Sequence, residues 1–98
     1  MLANTGISPK VQEEIRHLAR QYGLNQVRLF GSRARGDYRR ASDIDLAVSG
    51  GDIIRFSLDL EEEASTLLMF DVIDLGQAID QDLRAAIEAE GRTLYEKI

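Results

Sequence analysis

GSRARGDYRRASDIDLAV, residues 31–48, is the stretch from which the rest of the chain is read. Gly31 and Ser32 are followed, after ten positions, by Asp43-Ile44-Asp45. Upstream, Gln26 to Phe30 has the composition of a strand and runs straight into the Gly-Ser pair; downstream, Ser42 to Val48 alternates Asp43, Asp45 and Ala47 against Ile44, Leu46 and Val48. Because strand side chains repeat with period two, that alternation puts both carboxylates on one face and the branched apolar residues on the other. A glycine lets backbone approach a ligand with no side chain in the way, and amides that open a helical turn after a strand suit an anion. The pattern therefore sets an anion-sized turn beside a pair of carboxylates suited to a divalent cation.

Outward from this core, Ser8-Pro9 reads as a helix start, with a hydroxyl cap and a proline at the first helical position. Val11, Ile15, Leu18, Ala19 and Tyr22 follow at helical spacing, and Gly23 is the stop. Gly50-Gly51 breaks the second strand, Asp52 caps a helix expected from Ile53 to about Leu68, and the acidic run Glu61-Glu62-Glu63 falls near its middle as a solvated face. Phe70 to Leu75 predicts a third strand. Asp80 or Asp82 caps a last helix through Ala89, ended by Gly91 and followed by a short apolar Thr93-Leu94-Tyr95 piece. Helices alternating with strands predict an α/β or α+β domain spanning residues 1–98.

The same stretch, with FDVIDL at 70–75 and GRTLYE at 91–96, resembles the minimal nucleotidyltransferases of the DNA polymerase β-like nucleotidyltransferase superfamily. The resemblance implies a small mixed sheet with helices packed on one side, the opposite side being the active-site floor. It implies transfer of a nucleoside monophosphate from a triphosphate to a hydroxyl, with Mg2+, two ions in the usual scheme, as cofactor and ATP as donor. The residues suit that chemistry. Magnesium prefers hard oxygen ligands and keeps positions for phosphate and water, so Asp43 and Asp45 are the candidate metal ligands. Gly31 and Ser32, with Arg33 and Arg35 immediately after them, are the candidate triphosphate contacts. A third carboxylate, to complete the site or take the acceptor's proton, comes from Asp71 or Asp74. These lie an odd number of positions apart and so on opposite faces of one strand; similarity to the family's strand favours Asp71, with Asp74 the alternative. His17, beside the apolar stripe of the first helix, reads as a solvent-facing or half-buried helix residue, and Tyr38 as packing or surface, or as a platform that stacks on a base or a partner.

With 17 acidic against 12 basic residues the net charge is −5, which argues against unaided, stable binding of nucleic acid. The basic residues are concentrated nonetheless: Arg28, Arg33, Arg35, Arg39 and Arg40 bracket the Gly-Ser turn. The absence of cysteine excludes a disulfide scaffold or thiolate metal site and suits a reducing cytoplasm. No stretch approaches the ~18 apolar residues of a membrane helix. Little chain is left over to hold an acceptor, so a partner protein or an oligomer is expected to complete the cleft. The resemblance implies which partner: minimal nucleotidyltransferases pair with HEPN-domain ribonuclease toxins and act as antitoxins by transferring AMP to a partner tyrosine. Two alternatives remain open at this level, a neutralising binder of the same fold without catalysis and transfer to a small-molecule alcohol.

Overall fold

The computed structural model describes all 98 residues, in the order α1 (Pro9–Gln21), β1 (Gln26–Phe30), α2 (Ser32–Arg35), β2 (Ile44–Ser49), α3 (Ile53–Glu63), β3 (Phe70–Asp74), α4 (Gln81–Glu90) and β4 (Arg92–Glu96). The four strands form one mixed sheet in the order β3-β2-β1-β4. β1 is antiparallel to both β2 and β4, whereas β2 and β3 are parallel and joined through α3. The Thr93-Leu94-Tyr95 piece thus becomes an edge strand, with Leu94 buried against the sheet. The architecture is α+β, and no helix is long and apolar enough to cross a membrane.

Alternation along the strands separates two cores. Val27 and Leu29 of β1 and Ile44, Leu46 and Val48 of β2 point to one face, where they pack with Val11, Ile15, Leu18 and Ala19 of α1 and Phe56 and Leu60 of α3. This apolar layer is the largest stabilising term, at roughly 25 cal/mol for each Å² of apolar surface removed from water. On the other face Phe30, Ala47 and Ile87 form a smaller cluster, flanked by Ile73, Leu75, Ile79 and Leu83. The expected one-sided packing therefore holds for α1 and α3 but not for α4, which covers part of the second face. Arg28, projecting from β1 on that face, donates from Nη2 to the Gly91 carbonyl at 2.9 Å and so ties down the C-terminal end of α4. The end of this face that carries half-buried Asp45 and exposed Asp71 lies outside this cluster and stays open.

Local chemistry sets the boundaries. Ser8 caps α1 by accepting from the Val11 amide, and Asp52 and Asp80 do the same for α3 and α4. α3 stops at Glu63, five residues before the expected Leu68, so Glu61-Glu62-Glu63 forms its last turn instead of its middle. The cause lies in α1: the Glu14 carboxylate accepts from both the Ser65 amide (2.8 Å) and the Ser65 hydroxyl (2.7 Å), which holds the chain off the helical path after extended Ala64.

Candidate active site

β1 and β2 meet at the open end of the sheet, and their antiparallel register sets Phe30 opposite Asp45. The residue after Phe30 is therefore forced past the Asp45 carboxylate. Gly31 makes that passage with φ of +73° and ψ of −158°, a conformation closed to residues with a side chain. A Cβ at Gly31 would collide with Asp45 Oδ2, so the space a side chain would need is filled by the carboxylate itself. Ser32 then starts α2, whose Ala34 and Arg35 amides return to the Gly31 carbonyl, and Gly36 ends it in the left-handed region. The leading amides of a helical turn have no partner within it, which leaves donors beside an acidic group.

The parallel register of β2 and β3 pairs Asp45 with Asp71, so the two carboxylates share the open face. Burial pushes the Asp45 carboxyl up, and repulsion from Asp71 and then Asp43 adds to it, to about 6; Arg35 and Arg33 pull the other way. Asp71 sits exposed on an edge strand, accessible from the side of the sheet. Asp74 pairs with Val48, on the face of the main core, and its Oδ1 accepts from the Gly76 amide at 2.8 Å to close the strand.

Not every residue expected here is brought in. Asp43 precedes β2 and is exposed, close enough to repel Asp45. The three aspartates do not form a ready-made cage, since no group of three or more acidic or histidine side chains is gathered closely enough to hold an ion. Arg33 is a clear departure from the expected phosphate contact. It is 1% exposed, and its Nε, Nη1 and Nη2 donate to the carbonyls of Ser42 (2.9 Å), Thr5 (3.0 Å) and Arg40 (3.3 Å). Its guanidinium also lies over the Tyr38 ring, 4.9 Å from the centroid, so the Arg33 side chain is not presented to a ligand. Burying an arginine in this way is tolerable only because all three nitrogens are satisfied, and the result is a clamp joining the N-terminal segment, α2 and the residue before Asp43. Arg35 is exposed, at the C-terminal end of α2, and pairs with Glu90 at 2.7 Å and with Asp37 at 3.3 Å. Glu90 and Thr5 were not visible as site neighbours from the sequence, because both contacts join residues far apart in the chain. His17 lies on the exposed face of α1, on a groove with Lys10, Glu13, Glu14, Leu18 and Glu63.

The donor set of the open end fits magnesium. Hard carboxylate oxygens from one or two residues are what that ion takes from a protein, the remaining positions going to phosphate and water, and the Asp45–Asp71 pair beside the Gly31 turn supplies such a half-shell.

Comparison with known proteins bears on these features. Residues 13–98 match the family model described as Polymerase beta, Nucleotidyltransferase. Among solved structures, one of a toxin-antitoxin with AMP-PNP is 28% identical, with 88% of this chain and 73% of that chain covered at a TM-score of 0.71. A mutant of the MntA-HpeT toxin-antitoxin is 27% identical over 88% of this chain and 73% of that one, with a TM-score of 0.67. A structure described as a minimal nucleotidyltransferase is 32% identical over 83% of this chain and 86% of that one, with a TM-score of 0.63. No curated protein matches.

Proposed function

We propose, from the premise that this chain belongs to the polymerase β nucleotidyltransferase family, that it is the antitoxin of a toxin–antitoxin pair and transfers AMP from ATP to a hydroxyl of its partner toxin. The observation that carries this reading is the strand register that sets Asp45 beside Asp71 and packs its carboxylate into the space left by Gly31. The likeness to toxin-antitoxin structures, one of them with AMP-PNP, supports the partner and the donor. A HEPN-domain ribonuclease is the partner proposed, with tyrosine as the acceptor, in a cytoplasmic setting.

Asp45 and Asp71, joined by Asp43 when ligand draws it in, hold magnesium in this reading. Bound there, the ion would supply positive charge that offsets the triphosphate's negative charge. The chain's residues do the rest. Gly31 lets the turn pass against the Asp45 carboxylate, and Ser32 and the first amides of α2 donate to phosphate. Arg35 meets the outer phosphates, while Arg33 acts at a distance by fixing the loop before Asp43. Asp71, on the open edge strand, faces the side from which a protein hydroxyl arrives and takes its proton. The acceptor oxygen bonds to the α-phosphorus as the bond to pyrophosphate breaks, so one hydroxyl proton and one pyrophosphate leave for each AMP added.

Intact-mass measurement of the co-expressed partner tests this. Wild type is expected to add one or more AMP masses to the partner, and Asp45→Asn to abolish the adduct. Equal neutralisation of the toxin by both proteins with no adduct would replace the enzyme by a binding module of the same fold.

A further inference from the structure

Arg35, unlike buried Arg33, carries an exposed charge close enough to act on the Asp45 carboxyl, and its guanidinium is already occupied. Its Nη1 donates to Glu90 Oε2 at 2.7 Å and its Nε to Asp37 at 3.3 Å. Asp37 is two residues away and moves with the loop. Glu90, in contrast, belongs to the last turn of α4, an element fixed by Ile87 in the smaller core and by Arg28 on the Gly91 carbonyl. Gly91 itself is held close: a Cβ there would strike Arg28 and the Ile87 carbonyl. The carboxylate that holds Arg35 is thus mounted on a rigid support, facing a loop residue 55 positions away in the chain.

We infer that Glu90 is a positioning residue that competes with polyphosphate for Arg35, so that Arg35 passes from Glu90 to the incoming triphosphate and returns to Glu90 as pyrophosphate leaves. This rests on the nucleotidyltransferase reading and adds a release step to it. The exchange is affordable because both partners are partly exposed, 46% for the Arg35 side chain and 28% for that of Glu90, and such pairs are weak and screened. A tight, buried pair in the same place would block the ligand. No covalent step is involved; one charge partner replaces another.

Calorimetric titration of the full chain with magnesium and AMP-PNP, inorganic pyrophosphate or AMP distinguishes the outcomes. For Glu90→Gln, affinity for AMP-PNP and for pyrophosphate is expected to rise roughly three-fold, the weight of one exposed ion pair, while affinity for AMP stays as in wild type. In an Arg35→Gln background the same substitution is expected to have no effect, since the competition runs through that guanidinium. A Glu90→Gln change that weakens or leaves unaltered the polyphosphate affinity, or that persists without Arg35, overturns the inference and leaves the enzyme reading intact. Wild-type protein that binds neither AMP-PNP nor pyrophosphate overturns both.

Discussion

Replacing Asp45 by asparagine should stabilise the folded protein at neutral pH while abolishing transfer. The folded-state carboxyl titrates at about 6 against an ordinary 3.8, chiefly because burial disfavours its charge. At ~1.4 kcal/mol for each pH unit, the difference sets a ceiling of ~3 kcal/mol on what the ionised group costs the fold. Asp45 is only partly buried, so solvent screening reduces this to ~1–1.5 kcal/mol. The sign follows from proton linkage. Between pH 3.8 and about 6 the folded state holds more protons than the unfolded one, so stability from this group is full below 3.8 and lost as pH rises through about 6. Urea denaturation of wild type and Asp45→Asn from pH 3.5 to 8 reads the difference, because titrating groups that do not interact with Asp45 contribute equally to both proteins. The variant is expected to gain ~1–1.5 kcal/mol at pH 7.5, with the gain fading below pH 4. A variant less stable than wild type at pH 7.5, or a difference that does not change with pH, would refute the reasoning that the site holds repelled, partly desolvated charge.

Gly31→Ala should cost ~2–4 kcal/mol in the same denaturation assay, because a side chain there meets both a forbidden backbone conformation and Asp45 Oδ2. Arg33→Ala is expected to lose ~2–4 kcal/mol by leaving one buried and two part-buried carbonyls without their donor, and Arg33→Lys to recover only part of it, which thermal melts will report. Asp71→Asn should lower AMP transfer to the partner by at least ~100-fold, in the range for a group that moves a proton or holds charge in the transition state. Asp74→Asn, which alters a strand-closing bond, should leave transfer within about two-fold under the same mass-spectrometric assay.

Much of this architecture was legible because local rules and the global fold agree. Ser8-Pro9 and Gly23 bound α1 as caps and stops should, and the alternation from Asp43 to Val48 told which face of β2 is core. The odd separation of Asp71 and Asp74 made it certain that they face opposite ways; the parallel pairing with β2 then put Asp71 beside Asp45. What could not be read was long-range. α3 ends early because of a carboxylate in α1, a contact 51 positions away. Arg33 looked like a phosphate ligand because its neighbours have that chemistry, yet Thr5, Arg40 and Ser42 carbonyls claim its nitrogens. The one-sided packing fails because α4 folds back over Phe30 and Ala47, leaving the acidic end outside that cluster.

The most direct test is a crystal structure of the chain with its partner, magnesium and a non-hydrolysable ATP analogue. The expected density has an ion between the Asp45 and Asp71 carboxylates, phosphates against the Gly31–Ser32 turn, and a partner hydroxyl on the β3 side. A nucleotide seated elsewhere, for instance on the groove beside His17, or an ion that does not touch Asp45, would contradict it.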